Sequence, residues 1–375
     1  MADSSRYRFA RLLLIVGAAF VAPATSCGGR TGLRSGGSDA GVTADAAVTA
    51  DAGVTDAALD GSCAFPQVDA ACVAAGSGVV LFGWTAISAP DYLSATWTWD
   101  GTSWTQKYPV SPSARDNATM ARLNDTGVLF GGSYDSYIGP TGGVLSDTWV
   151  WDGSCWAQQF VPGPNAREYA AMATLGNTVV LFGGLGWQSV QGDTWTWNGA
   201  CWVEIDTQGP GARSGHAMAT LHDAIVLFGG KNGDPRVLGG PLLGDTWTWN
   251  GTRWTQLDVK GPSARTGAAM ATLDDVVVLF GGVDESGSFL GDTWTWDGKT
   301  WTQMDVAGPM GDTNQASMPN LMATFDGAVV LLSGFYQTGA PGRTWTWNGT
   351  SWTQLQVPGP DVLESWVQSA VTCAW

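Results

Sequence analysis

Arginine recurs at one position of this 375-residue sequence, each time directly after an alanine and ahead of a run of small residues. A guanidinium group is planar and permanently charged, and it suits a carboxylate that accepts two parallel hydrogen bonds. Aspartate follows further on in each copy that has the arginine, so internal ion pairs are one prediction. The arginines are Arg115, Arg167, Arg213 and Arg265, and the aspartates are Asp147, Asp193, Asp245 and Asp292.

Groups that could carry out covalent or metal chemistry are few. The sequence has two histidines, His216 and His222, and it shows no Ser-His-Asp order, zinc-ligand spacing or phosphate-binding loop. We therefore expect no metal and no cofactor. Paired carboxylates such as Asp274-Asp275 are typical of solvated turns. A carboxylate-based glycosidase or lyase stays open, because such sites have no local sequence signature.

Residues 1–27 have the features of a signal peptide. A basic start precedes an apolar run from Leu12 to Ala24, which is shorter than the roughly 18–20 residues that span a bilayer. The end of this segment, up to Cys27, resembles a bacterial lipobox, in which the cysteine becomes lipidated. We expect an exported lipoprotein of the outer membrane or cell surface, and plain secretion after cleavage near Ser26 is the alternative.

Residues 28–62 are a predicted disordered linker of Ala, Gly, Asp and Thr, because such residues bury too little apolar area to offset the entropy of ordering. The chain as a whole is acidic, with 33 Asp and Glu against 17 Lys and Arg. A surface of this charge disfavours nucleic acid and anionic lipid as partners. We expect membrane contact only through the N-terminal lipid.

A pattern of 46 to 52 residues repeats six times after residue 63. Its most regular feature is a Trp-x-Trp pair with a third Trp five residues later, so 18 of the 22 tryptophans hold repeat positions. The pairs are Trp97/Trp99, Trp149/Trp151, Trp195/Trp197, Trp247/Trp249, Trp294/Trp296 and Trp345/Trp347. A period of this length predicts a propeller or another array of stacked units.

Each copy reads as four strands, and the fifth copy illustrates them. Small residues form the first strand (268–273), and a continuously apolar second strand (276–280) ends at Gly-Gly. The third strand (293–296) alternates with period two, and a two-residue Asp-Gly or Asn-Gly turn joins it to the fourth. Small residues suit the crowded axis of a ring and Trp fills the widening wedge. The predicted fold is therefore all-β: a six-bladed propeller over residues 63–375, with four antiparallel strands per blade.

The apolar run ending in Gly-Gly, the Asp-x-Trp third strand and the later Trp resemble kelch-repeat propellers, the superfamily that includes the central domain of galactose oxidase. Arginines at the matching place in kelch substrate adaptors bind acidic peptides, so the resemblance implies a carboxylate-binding arc as the alternative to ion pairs. The copper centre of galactose oxidase needs two His and two Tyr, and no matching set can be assembled here. The first and sixth copies depart from the pattern at Ala95 and Arg343.

Connections in such a propeller alternate between two faces. The first-to-second turns and the Asx-Gly hairpins are short and leave by one face, whereas the second-to-third connections have 9 to 15 residues and leave by the other. Variable loops on a rigid scaffold are where binding usually resides. We expect an unknown protein, peptide or glycan ligand there, contacted by the four arginines and by Tyr134, Tyr137 and Trp187.

Six cysteines fit an oxidising compartment. Cys155 and Cys201 hold equivalent outer positions in adjacent copies, and strand spacing places them about 14 Å apart. A disulfide needs Cα atoms within about 7 Å. We therefore expect this pair not to form.

The C-terminal segment continues past the sixth repeat, and residues 365–373 look like another first strand. This strand would close blade one, beside or in place of residues 70–75. Cys373 would then come near Cys72 or Cys63, and we predict a Cys72–Cys373 disulfide that clasps the ring. Two unpaired thiols are the alternative.

These features predict a non-catalytic binding or scaffold protein of the cell surface that works through the loop-bearing face of the propeller. The alternative is an extracellular carbohydrate-active enzyme, a glycosidase or lyase, with a carboxylate site at the channel. Exposed aromatic residues and carboxylates clustered at one channel mouth would favour the enzyme.

Overall fold

The computed structural model describes residues 78–88, 91–134, 143–234, 241–309, 321–333, 343–357, 360 and 371–374. Their regular elements are all β-strands, and none of these residues forms a helix that could cross a membrane. The predicted signal peptide, the linker, Cys27, Cys63, Cys72 and Tyr137 lie outside the described residues.

The first three blades follow one another in chain order after the predicted linker. Blade one contains β1 (Val79–Ser88), β2 (Asp91–Trp99) and β3 (Trp104–Lys107). In blade two, β4 (Thr119–Leu123) and β5 (Thr126–Phe130) are followed by a small hairpin, β6 (Ser133–Tyr134) and β7 (Gly143–Val144), and then by β8 (Thr148–Trp151) and β9 (Trp156–Gln159). Blade three contains β10 (Ala171–Leu175), β11 (Thr178–Phe182), β12 (Thr194–Trp197) and β13 (Trp202–Ile205).

The remaining blades repeat the same plan. Blade four contains β14 (Ala217–Leu221), β15 (Ala224–Phe228), β16 (Thr246–Trp249) and β17 (Trp254–Leu257). Blade five contains β18 (Ala269–Leu273), β19 (Val276–Phe280), β20 (Thr293–Trp296) and β21 (Trp301–Met304). Blade six contains β22 (Leu321–Phe325), β23 (Ala328–Ser333), β24 (Arg343–Trp347) and β25 (Trp352–Gln354). The last strand, β26 (Val371–Ala374), belongs to blade one.

Each blade is a four-stranded antiparallel sheet in which neighbouring strands follow one another along the chain. The predicted all-β fold, with six blades of four antiparallel strands, is confirmed. Blade one is the exception in its connectivity, because β26 pairs with β1 and supplies the strand that the other blades take from their own N-terminal side. This strand overlaps the end of the segment 365–373 and extends one residue beyond it.

The core consists of six apolar clusters, one at each junction between neighbouring blades. At the junction of blades four and five, Ala217 and Ala219 of the inner strand pack with Phe228 and with Trp296 and Trp301 of the next blade. The junction of blades six and one has the same composition, with Ala323 and Val330 against Trp99 and Trp104. The two outer tryptophans of a blade therefore fill the space against the blade before it, as the gradation of residue size predicts.

A hydrogen bond accompanies each of these junctions. The third Trp of every copy donates its indole N–H to the threonine that precedes the Trp-x-Trp pair of the preceding blade. The bonds are Trp156–Thr96 (3.0 Å), Trp202–Thr148 (2.8 Å), Trp254–Thr194 (3.0 Å), Trp301–Thr246 (3.0 Å), Trp352–Thr293 (2.9 Å) and Trp104–Thr344 (2.9 Å). The threonine of the Thr-Trp-x-Trp pattern thus has a role that its repetition alone did not reveal.

Inner strands are also linked by hydroxyl groups. Thr174, Thr220, Thr272 and Thr324 each donate a side-chain hydrogen bond to a backbone carbonyl of the preceding inner strand. The matching position in β26 is Ala374, which pairs with Val79 as Thr174 pairs with Val179. An alanine has no hydroxyl to donate, so the closing strand lacks this link.

The Asx-Gly hairpins differ from the predicted two-residue turns. Trp99 and Trp104 face each other across the sheet, so four residues connect the strands. Gly101 has a φ of 100°, while Asp100 keeps a negative φ and its carboxylate accepts hydrogen bonds from the backbone N–H groups of Thr102 and Ser103. These bonds hold the pKa of Asp100 at about 2. The side-chain cap, rather than two positive φ angles, makes the turn.

Cys155 and Cys201 are both disulfide-bonded, so the expectation that they stay unpaired is wrong. Strand spacing separates these cysteines by about 14 Å only if the blades are flat sheets that diverge from the axis. The blades are instead twisted, and each packs against the blade before it. Trp202, the residue after Cys201, reaches Thr148 of blade two. A bond between these two cysteines would join the rims of blades two and three.

Candidate binding face

The connections define two unlike faces. We call the loop face the one that receives the second-to-third connections and the connections from each fourth strand to the next blade. The hairpin face receives the first-to-second turns and the Asx-Gly hairpins. The predicted ligand-contacting residues that the structure describes all belong to the loop face.

Each of the four repeat arginines forms a bidentate ion pair with the aspartate of its own blade. In blade two, Arg115 donates from Nη1 to one oxygen of Asp147 at 2.6 Å and from Nη2 to the other at 2.8 Å. The remaining guanidinium donors bond the carbonyl of Gly131 at 3.0 Å and that of Ser113 at 3.0 Å. The same bonds recur in blades three, four and five as Arg167–Asp193, Arg213–Asp245 and Arg265–Asp292.

These ion pairs are buried on the arginine side. The four arginine side chains are 0 to 2% exposed, and the aspartates are 21 to 22% exposed. Burial acts to raise the pKa of each carboxyl group, but the hydrogen bonds and charge of the arginine outweigh it, so the pKa of each aspartate lies below its usual value. Two roles were predicted for the arginines, an internal ion pair and a carboxylate-binding arc, and the observed contacts are those of the ion pair.

A tryptophan donates a further hydrogen bond to the aspartate of each ion pair. The indole N–H of Trp149 donates to Oδ2 of Asp147 at 2.7 Å, and Trp195, Trp247 and Trp294 do the same at 2.7 Å in the next three blades. In the first and sixth copies, Ala95 and Arg343 replace the aspartate, and the matching indole N–H groups of Trp97 and Trp345 are buried with no hydrogen-bond partner among the described residues. The Asp-x-Trp pattern is therefore a hydrogen-bonded unit.

The arginine backbone contacts the preceding blade. The carbonyl of Arg167 accepts a hydrogen bond from the N–H of Gly132, and its own N–H donates to the carbonyl of Leu145. A side chain on Gly131 would come within 2.5 Å of the Arg167 carbonyl, so glycine is required for this close approach. Arg167, Arg213 and Arg265 thus each link two blades through the backbone and hold their own blade through the side chain.

Exposed apolar side chains concentrate on the loop face. Trp187 is 67% exposed in blade three and Tyr134 is 46% exposed in blade two. Among the described residues, the other large exposed apolar side chains are Tyr108, Val110, Phe160 and Phe289, also on loop-face connections, and Val203 on an outer strand. The two aromatic residues named from sequence that the structure describes are therefore accessible.

Sequence reasoning missed a buried polar network between blades two and three. Glu168, which follows an arginine of the pattern, is 3% exposed. Its Oε2 accepts hydrogen bonds from Asn117 Nδ2 at 2.9 Å and from Ser133 Oγ at 2.8 Å. The only signal in the sequence is that the residue after the arginine differs in every copy.

The same junction has unusual backbone geometry. Asn117 and Tyr169 have φ values of 54° and 55°, at a position where blades four and five have Gly215 and Gly267. Each residue in this row bonds the next, as Tyr169 N–H donates to the Asn117 carbonyl at 3.0 Å. A bulky residue such as tyrosine rarely adopts a positive φ, and such residues concentrate at functional sites.

His216 stands beside this row, where three other copies have alanine. The side chain is 6% exposed and its ring packs edge-on against Phe182. Within the described part of the chain, neither ring nitrogen has a hydrogen bond of normal geometry. Burial, followed by the charge of Arg213, lowers the pKa of His216 to about 3. Within the described residues, no group of three or more His, Cys, Asp and Glu is arranged to hold a metal ion.

The hairpin face carries mainly acidic groups. Its exposed aspartates are Asp100, Asp125, Asp152, Asp223, Asp274, Asp275, Asp297 and Asp326, and its basic residues are Arg122, Arg253 and Lys299. His222 of one turn lies 3.2 Å from Asp275 of the next. The turns are short and similar from blade to blade, in contrast to the connections of the loop face.

Comparison with known protein families matches the described geometry. The family described as the KLHDC2/KLHL20/DRC7 Kelch-repeats domain matches residues 54–230 and 193–374. No curated protein matches the chain significantly. The two family matches together extend over the six blades and the closing strand, and the chain therefore belongs to the kelch-repeat propellers.

Proposed function

We propose that this protein is a non-catalytic binding or scaffold protein that engages its ligand through the loop face. The observation that carries the proposal is the concentration of exposed aromatic side chains on that face, which include Trp187 and Tyr134. Aromatic side chains provide large contact areas at low cost in conformational entropy, and they dominate binding interfaces. The regular, hydrogen-bonded blades supply a rigid support for them.

The exported, cell-surface setting is part of the same proposal. It rests on the signal-like residues 1–27, on Cys27 in its lipobox-like context, and on disulfide-bonded Cys155 and Cys201, which suit an oxidising compartment. Metabolic labelling with a palmitate analogue tests the lipid anchor. Label should enter the full-length protein and be lost in Cys27→Ser, and label retained in that variant would contradict the anchor.

Binding itself is tested with the full exported chain on a combined glycan and peptide array. A ligand recognised by the loop face should be lost when Trp187 and Tyr134 are replaced by alanine. The matched control replaces Asp274 and Asp275 of the hairpin face by asparagine and should leave binding unchanged. Loss of binding in the control alone would contradict the proposed face.

A carbohydrate-active enzyme is the second candidate, and one observation favours it. Carboxylates and exposed aromatic residues occur together near blades two and three: Asp116 pairs with Ser133, whose hydroxyl bonds Glu168. Glycoside hydrolases use two carboxylates on opposite sides of the scissile bond. Release of reducing ends from arrayed glycans, abolished in Glu168→Gln, would support the enzyme, and unchanged glycans would contradict it.

A further inference from the structure

We propose that the loop face binds a cationic side chain, arginine or lysine from a basic peptide, at the junction of blades two and three. We call this place the Glu168 corner and define it by Asn117, Tyr134, Glu168, Tyr169 and Trp187. The inference deepens the proposed function, on which it rests, by naming the chemistry of the ligand.

Direct bonds bring the members of the corner together around Glu168. Asn117 donates to its carboxylate, and Ser133, the neighbour of Tyr134, does so as well. The Glu168 backbone exchanges two hydrogen bonds with Leu185, at 3.0 and 2.7 Å, and Trp187 follows two residues later. Tyr134 therefore lies one residue, and Trp187 two residues, from a position that is hydrogen-bonded to Glu168.

Aromatic faces beside a carboxylate suit a cation. The electron-rich faces of Trp and Tyr attract a guanidinium or ammonium group within about 6 Å of the ring. Tyr134 is held in place, since a side chain on Gly143 of the facing strand would lie 2.9 Å from its hydroxyl oxygen. A long basic side chain can lay its apolar stem along such rings and carry its charge inward.

Charge on the loop face favours the same ligand. The described connections there hold eight carboxylates besides those of the four ion pairs, and two lysines. The carboxylates are Asp116, Glu168, Asp206, Asp234, Asp258, Asp284, Glu285 and Asp305, and the lysines are Lys231 and Lys260. A surface of this sign attracts cationic partners and repels acidic ones. The carboxylate-binding arc would also require the four arginines to leave their aspartates.

The corner contains a buried hydrogen-bond acceptor that no donor of the described residues satisfies. Asn117 is 4% exposed, and its Oδ1 has no hydrogen-bond partner in the described part of the chain. The bond from Nδ2 to Glu168 fixes the orientation of the amide. A buried acceptor without a donor is costly, and a guanidinium brings up to five N–H donors. Tyr169 lies beside this residue at a positive φ and donates its backbone N–H to the Asn117 carbonyl.

The test measures binding of a fluorescein-labelled peptide of alternating arginine and glycine to the full chain, with glutamate-glycine and glutamine-glycine peptides for comparison. We expect the arginine peptide to bind, and to bind more weakly as salt rises. Glu168→Gln keeps one oxygen that can accept the hydrogen bonds of Asn117 and Ser133 and removes the charge, and Trp187→Ala removes an aromatic face. Each should weaken binding by about 3-fold to 30-fold, with unchanged melting temperature.

Two controls separate this corner from general attraction to an acidic protein. Phe289→Ala removes an exposed aromatic of blade five on the same face, and Asp275→Asn removes a charge from the hairpin face. Both should bind the arginine peptide like the wild type. Equal weakening in Asp275→Asn and Glu168→Gln, or tighter binding of the glutamate peptide, would overturn the proposal.

The outcome also distinguishes the inference from the proposed function. Binding of a neutral glycan that is lost in Trp187→Ala, without binding of the arginine peptide, would leave the loop face as the binding face and overturn the cationic ligand. Binding of arrayed ligands that no loop-face substitution alters would overturn the proposed function.

Discussion

The indole N–H of Trp104 in blade one donates to the hydroxyl of Thr344 in blade six at 2.9 Å, and this buried bond closes the ring. The two residues are 240 positions apart in the chain. An equivalent Trp–Thr hydrogen bond joins each of the five remaining pairs of neighbouring blades, so the closing junction repeats the geometry of the internal ones.

Replacing Thr344 with valine should therefore destabilise the propeller by about 1–3 kcal/mol, because it leaves the Trp104 N–H buried without an acceptor. Urea denaturation followed by tryptophan fluorescence measures the change. Thr105→Val, at an exposed position next to Trp104, is the matched control and should change the free energy of unfolding by less than about 0.5 kcal/mol. Equal effects of the two variants would contradict a role for the closing bond.

Replacing Arg213 with alanine should destabilise the protein by about 3–5 kcal/mol, because the partly buried Asp245 loses its counter-ion. Arg122 is the matched control, since it forms an exposed pair with Asp125 and its loss should cost little. Chemical denaturation of both variants checks the difference. If Arg213→Ala instead kept full stability and lost ligand binding, the arginine would belong to the binding site.

His216 should make stability depend on pH below about 6.5. The unfolded histidine takes up a proton near its ordinary pKa of about 6.5, whereas the folded one does so near 3. The unfolded state therefore binds more protons between these values, and stability falls by about 1.4 kcal/mol per pH unit as the pH drops through them.

Denaturation at a series of pH values between 6 and 4 tests this dependence in wild type, His216→Ala and His222→Ala. We expect a shallower slope in His216→Ala, where alanine matches the residue of other copies. His222 is exposed, so its variant should keep the slope of the wild type. A wild-type slope in His216→Ala would show that other groups cause the dependence.

Cys155 and Cys201 should appear as one linked peptide in a non-reducing map of the exported protein. Their bond would close a loop of about 46 residues, and replacing both with serine should cost about 2–4 kcal/mol. The map also tests the predicted Cys72–Cys373 clasp, which the described residues leave untested. Finding Cys155 and Cys201 alkylated as free thiols would rule out the rim disulfide.

Removing residues 371–375 should open blade one, because β1 loses the four backbone pairs that it makes with β26. The buried Val79 and Leu81 would then lie on an uncovered sheet edge. We expect a lower midpoint of thermal unfolding and partial recovery when a peptide of the deleted residues is added. A truncated chain with the midpoint of the wild type would show that β26 is dispensable for closure.

Much of the fold follows from patterns within single copies. Continuous apolar runs such as Val276–Phe280, the alternating Thr293–Trp296, and glycine after Asp or Asn each specify a strand or a turn from neighbouring residues, because their periods match those of the backbone. Six copies of one pattern then determine the number of blades. Size-graded side chains, from alanine to tryptophan, indicate which strand lies at the axis.

Tertiary structure decided the partners of residues that are far apart in the chain. The sequence left Arg115 open between an acidic ligand and Asp147, since both are carboxylates and only distance distinguishes them. It predicted that Cys155 and Cys201 are too far apart to form a disulfide, because no local sequence pattern reveals the sheet twist that packs one blade against the next. The Glu168 network was missed for the same reason: its hydrogen bonds join two blades at a position where the copies differ, and their geometry arises when the ring is assembled.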